Sequence, residues 1–131
     1  MSKENVEIVR RGMEAFNRRD LRSAADALDE DVEWDFNAAL IDEGVIRGRA
    51  GVIRYWQRIL TTFPFVHEQM QFLDAGEDVC VLANIRAQGV ASGAELAGPC
   101  GYAMTVRAGA ITRVRFYESH ADALKAVGLE E

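Results

Sequence analysis

Pro64 divides this chain into two regimes of apolar spacing, and that division restricts the fold more than any other feature. Before it, Val6, Val9, Met13 and Phe16 recur at spacings of 3, 4 and 3, the stripe of one helix face, in a helix that starts after Ser2 as its cap. Asn17-Arg18-Arg19-Asp20 interrupts the period and offers Asp20 as the N-cap of a shorter helix with Leu21, Ala24, Ala25 and Leu28 on its apolar side. Two such helices pack as a hairpin. From Gly51 the helical period returns in Val52, Tyr55, Trp56, Ile59 and Phe63, opposite Arg54, Gln57 and Arg58, until the proline ring ends it. After Pro64 the chain is β-rich, with strands expected at about 66–74, 78–88, 98–107 and 110–118.

One strand is expected ahead of that boundary. Asp29 to Asp31 turn the chain into Val32-Glu33-Trp34-Asp35-Phe36, where apolar and acidic residues alternate with the period of a half-buried strand. Asn37 to Arg49 has no period and contains Gly44 and Gly48, so it reads as a long loop of the kind that covers a site, with Arg47 and Arg49 as surface charge.

The last two strands can be paired from their faces. A three-residue loop Ala108-Gly109-Ala110, with Gly109 free to take positive φ, sets Tyr102 opposite Phe116, Met104 opposite Val114 and Glu118 opposite Cys100. Ser119 then caps a terminal helix, with Asp122 three residues on and Gly128 closing it.

Composition bounds the partners. A chain of 131 residues, 49% of them apolar, is the size of one domain spanning residues 1–131. Its net charge of -6 excludes a general nucleic-acid or anionic-membrane surface, because clustered Lys and Arg drive phosphate binding. The charge leaves neutral, apolar or cationic partners, and of these an apolar small molecule is expected. The first twenty residues carry charges throughout and lack the apolar core of a signal peptide, and no apolar run approaches a membrane span, so a cytoplasmic protein is expected. Cys80 and Cys100 lack the spacing of a zinc or redox motif, and His67 and His120 sit on different elements without ligand spacing. No metal and no cofactor are expected, since the chain also has neither a phosphate loop nor a dinucleotide fingerprint.

The element order is helix, helix, strand, helix and four-strand meander. Together with the segments VEIVRRGMEAFNRRD (Val6 to Asp20), LDEDVEW (Leu28 to Trp34), GRAGVIRYW (Gly48 to Trp56) and VRAGAITRVRFYE (Val106 to Glu118), it resembles bacterial SnoaL-like proteins of the nuclear transport factor 2-like superfamily. The resemblance implies an α+β fold in which a curved, mostly antiparallel sheet wraps around helices as a cone-like open barrel with one internal pocket. It also implies a homodimer through the outer sheet face, for which Ala103, Thr105 and Tyr117 are the candidate residues. It does not imply one activity, because the superfamily hosts isomerases, cyclases, dehydratases, epoxide hydrolases and binding domains. Ketosteroid isomerase is similar over helix one and the first strand, and its tyrosine, catalytic aspartate and protonated aspartate would fall at Gly12, Phe36 and Tyr102. Asp35 is one residue out of phase and so lies on the opposite face, which excludes that mechanism. The Asp-Arg-Asp set of limonene-epoxide hydrolase would need an acid where Gln88 follows Arg86.

The candidate site follows from the same face assignment. If Tyr102 faces inward, as the resemblance implies, then Val114, Phe116 and Glu118 do too, and Glu118 with His120 forms the candidate catalytic pair, a carboxylate setting an imidazole for proton transfer. The bland alternative is a Glu paired to Arg86 and a solvated His. Phe16, Trp34, Phe36, Trp56, Tyr102, Met104 and Phe116 are the expected substrate-binding walls, the alternative being a sealed core. Arg86 is either a pocket electrophile or an outward residue. Two functions stay open: a cofactor-independent isomerase, cyclase or dehydratase acting by general acid–base chemistry on an apolar carbonyl compound, and a non-catalytic ligand-binding or accessory domain.

Overall fold

The computed structural model describes residues 2–36 and 44–129. Helix α1 (Ser2–Asn17) carries the expected stripe, with Val9, Met13 and Phe16 buried, and already includes Ser2. Asp20 caps α2 (Leu21–Asp26): its carboxylate accepts from the Ser23 backbone N–H at 3.2 Å and from the Ser23 hydroxyl at 2.8 Å. Leu28 is not on that helix. It opens strand β1 (Leu28–Asp35), which takes in the expected turn at Asp29 to Asp31 and absorbs it as a register shift between Leu28 and Glu33.

Part of the expected long loop is a strand. β2 (Val45–Arg47) pairs antiparallel with β1, and Arg47 reaches Glu33 at 2.9 Å; residues 37–43 of the expected loop lie outside the described residues. Arg49 is not mere surface charge either, since its guanidinium donates to the Leu28 carbonyl at 3.2 and 3.0 Å and so ties the start of α3 (Arg49–Thr62) to β1. Pro64 then passes the chain to β3 (Phe65–Ala75), β4 (Asp78–Gln88), β5 (Glu95–Arg107) and β6 (Ala110–Tyr117).

These strands form one sheet in the order β2-β1-β6-β5-β4-β3, antiparallel throughout except that β1 runs parallel to β6. The β5–β6 register is as expected, Tyr102 opposite Phe116 and Met104 opposite Val114. The turn differs. Ala108 and Gly109 alone make it, at φ 51° and 81°, and the extra residue, Thr112, is taken up as a bulge. A two-residue turn with both centres at positive φ matches the strand twist, and the bulge restores the parity that keeps Val114 and Phe116 inward.

The inner face of the sheet packs against α1 and α3 around Val9, Val32, Val52, Val81 and Val114. The outer face carries a second, smaller core. Helix α4 (His120–Ala126) lies there, capped by Ser119 on the Asp122 N–H at 3.1 Å, and buries Ala123 against Cys80 and Leu82, with Tyr117 alongside. Gly128 at φ 77° ends it in a Schellman closure, its N–H on the Lys125 carbonyl and that of Leu129 on Leu124. Of the residues expected to dimerise, Ala103 is wholly buried within the chain, while Tyr117, which packs in part with α4, and Thr105, whose hydroxyl bonds Asp78 at 2.6 Å, are half-buried. No helix among the described residues is long and apolar enough to cross a membrane.

Candidate functional site

The inner face of the sheet and the two long helices enclose a cavity of about 370 Å³, within the size range of small-molecule sites. α1 contributes Val9, Met13 and Phe16; α3 contributes Tyr55, Trp56 and Ile59; the sheet contributes Trp34, Phe36, Phe65, His67, Tyr102, Met104 and Phe116. The exposed Leu96, near the start of β5, and the helix-ending Phe63 line it as well. None of the described lining residues carries a formal charge at neutral pH. The three positions onto which the isomerase residues map, Gly12, Phe36 and Tyr102, all lie on this wall.

Its aromatic side chains form a connected network. Trp34 meets Trp56 edge-on with ring centres 5.8 Å apart, Tyr102 meets Phe116 at 5.4 Å, and Phe16 touches Trp56 at 5.4 Å. Edge-to-face pairs of this kind fix the rings beyond what area burial does alone. The rigid wall has a polar centre. His67 Nε2 and the Tyr102 hydroxyl oxygen are 2.7 Å apart, both buried, a hydrogen bond whose direction depends on the imidazole tautomer.

His67 reaches that position through its backbone. The Asn17 side chain at the end of α1 donates to the His67 carbonyl at 2.8 Å and accepts from its N–H at 3.0 Å. Two residues later Gln69 adopts φ 55° in a bulge that shifts the β3–β4 register between Glu68 and Gln71. Burial, with the nearby Arg19 charge adding to it, lowers the His67 pKa to about 4, so the ring is neutral at pH 7. Burial also raises the Tyr102 phenol well above its ordinary value, so it too is neutral. Two buried nitrogens of the wall, His67 Nδ1 and Trp34 Nε1, have no hydrogen-bond partner among the described residues.

The expected walls Phe16, Trp34, Phe36, Trp56, Tyr102, Met104 and Phe116 all line this cavity. The expected polar residues do not. Arg86 sits on the outer face of β4, exposed and paired with Glu68 at 3.2 Å, because its register partners Val66 and Ala97 both point outward. Glu118 follows the end of β6 and is exposed, since the chain bends there into α4 instead of continuing opposite Cys100. His120 donates from Nε2 to the Ala83 carbonyl at 2.9 Å, which spends that nitrogen on the sheet. Neither member of that pair lines the cavity.

A SnoaL-like domain model matches residues 9–114. The chain superposes with a TM-score of 0.81 on a candidate polyketide cyclase from Xanthomonas campestris pv. campestris, at 24% identity over 96% of this chain and 98% of the other. It matches TerC co-crystallised with polyporic acid at a TM-score of 0.76, with 19% identity over 95% and 98% of the two chains. A ketosteroid isomerase-like fold from Catenulispora acidiphila, in complex with trimethylamine, matches at 0.74, with 19% identity over 94% and 93%. At such identities the likeness is one of fold. No curated protein matches in sequence.

Proposed function

The chain belongs to the SnoaL-like family, and on that premise we propose that its cavity binds a neutral, apolar, carbonyl-bearing small molecule whose oxygen is held by Tyr102 with His67 behind it. The observation that carries this reading is the 2.7 Å hydrogen bond between two neutral side chains in a wall whose other described residues are mostly apolar and carry no formal charge. A charged ligand would lose its hydration there and gain no counter-ion from the described wall. A flat neutral ligand gains area and stacking against Trp34 and Phe116, and one hydrogen bond orients it. Fold relatives co-crystallised with polyporic acid and with trimethylamine support small-molecule binding as the general use of this architecture.

Turnover is the second reading, favoured by the same pair. Tyr102 and His67 are proton-carrying groups in the cavity wall, so a cofactor-independent isomerase, cyclase or dehydratase would use them in place of Glu118 and His120. Binding is tested by titrating 2-acetylnaphthalene into the protein by calorimetry. Trp34→Ala should weaken it by about 10-fold or more, and the anionic 2-naphthoate should bind far more weakly than the ketone. Equal binding of the ketone by the variant, or a preference for the anion, rejects the reading.

A further inference from the structure

A buried histidine usually has its tautomer fixed by the protein, because one ring nitrogen is committed to a carbonyl or carboxylate and the other must then play the opposite role. His120 is held in this way by the Ala83 carbonyl. His67 is not. Its Nε2 faces Tyr102, a hydroxyl that can both donate and accept, and its Nδ1 has no partner among the described residues. The tautomer of His67 is thus left to whatever Tyr102 touches.

Resting on the binding reading above, we propose that the His67–Tyr102 pair is a reversible hydrogen-bond switch that recognises a ligand oxygen equally as a carbonyl or as a hydroxyl, the substrate class being neutral compounds that interconvert the two, enolisable ketones and their enols or phenols. With the proton on Nε2, His67 donates to the Tyr102 oxygen, and the phenolic hydrogen is free for a ligand carbonyl. With the proton on Nδ1, Nε2 accepts the phenolic hydrogen, and the Tyr102 lone pairs are free for a ligand hydroxyl. Both states keep the same heavy-atom positions and carry no net charge.

Neutrality is what the surroundings require. No described lining residue could balance an imidazolium or a phenolate, and burial disfavours both ions, with the His67 pKa at about 4 and that of Tyr102 well above its ordinary value. A fixed donor such as a lone amide N–H can bond either oxygen but leaves the hydroxyl's own hydrogen without a partner, and a fixed acceptor can bond the hydroxyl and not the carbonyl. A pair that exchanges roles holds both ends of a keto–enol conversion at one oxygen, which favours neither and leaves the barrier between them as the quantity the site can lower.

The experiment compares naphthalene, 2-acetylnaphthalene, 2-naphthol and 2-naphthoate at pH 7 by calorimetry, and reads the imidazole nitrogens by NMR of protein labelled with ¹⁵N-histidine. His67→Gln assigns the signals, since the chain has two histidines. The ketone and the naphthol should each bind roughly 3- to 10-fold more tightly than naphthalene, and in Tyr102→Phe all three should bind about equally, each measured on the variant itself. In the wild type, the protonated nitrogen should be Nε2 with the ketone and Nδ1 with the naphthol. The same tautomer with both ligands overturns the switch, as does an advantage confined to one of them. The same tautomer with both ligands, or an advantage confined to the ketone, leaves the binding reading intact, whereas an advantage confined to the naphthol, or failure of naphthalene, ketone and naphthol alike to bind, overturns both. The NMR arm uses only wild-type protein, so a poorly folded variant does not obscure the result.

Discussion

Asn17 ends α1 and fixes the imidazole at the same time. Its amide pairs with both backbone groups of His67 across the gap between helix and edge strand, next to the bulge at Gln69. Asn17→Ala leaves a part-buried N–H and C=O without these partners, and a lost pairing of that kind costs about 1–3 kcal/mol. Urea unfolding should show a loss of roughly 2 kcal/mol, and binding of 2-acetylnaphthalene should weaken because His67 no longer holds Tyr102. Unchanged midpoint and affinity would show that β3 positions His67 alone. The aromatic walls were legible in the sequence because strand parity and helix period suffice to aim Trp34, Trp56 and Tyr102. His67 was not, for a definite reason. Counting back from the β3–β4 turn, the pairing Asp74 with Val79 continues to His67 opposite Arg86, on the outer face. The bulge removes one residue from that count, and His67 instead faces Ile85 and points inward. Gln69 at positive φ is the only local mark of the change, and glutamine does not advertise that conformation.

Helix α4 is legible as an element and illegible as a neighbour. Ser119, Asp122 and Gly128 spell its cap and its end, and the structure forms both. Nothing in that spelling says that the helix folds back over the outer face, where it packs beside Tyr117, one of the residues expected to dimerise. The contact depends on Gly101. A Cβ placed there would overlap the Ala123 methyl and come within 3.5 Å of the Ser119 carbonyl. Backbone and helix stay in contact only while residue 101 has no side chain. Gly101→Ala should cost about 1–3 kcal/mol by overpacking, read as a lower unfolding midpoint, and α4 amides should exchange faster than those of β5. Ala123→Gly in the same chain should return part of the loss by reopening the space, less the helix penalty of about 1 kcal/mol for glycine. A Gly101→Ala protein as stable as the wild type would mean that α4 moves off the sheet at little cost.

At the scale of the whole molecule, the uncharged cavity makes stability depend on pH through His67. In the unfolded chain its imidazole titrates near 6.5; in the folded chain burial lowers that to about 4. Between these values the unfolded state binds the proton and the folded state does not, so protonation pulls the equilibrium toward unfolding and stability rises with pH across the window. Above pH 6.5 both states are neutral and this contribution is complete. As pH falls toward 4 it is lost, by up to roughly 3 kcal/mol, a large share of the 5–15 kcal/mol typical of a domain. Burial sets the sign, and of the groups facing His67, Arg19 adds to the depression while Tyr102, neutral throughout, supplies no counter-charge. Asp20 does not act in the same window, because its carboxylate is lowered from 3.8 by Ser23 and its contribution disappears only below that pH. His67→Gln keeps a side chain able to bond Tyr102 and removes the titration. Urea unfolding at half-unit steps from pH 7.5 to 4 should give a wild-type free energy that declines most steeply between 6.5 and 4, and a variant curve that is flatter there by roughly 3 kcal/mol. Parallel curves would mean that the folded protein accepts the proton on His67, and with it a charge that the cavity has no described residue to balance.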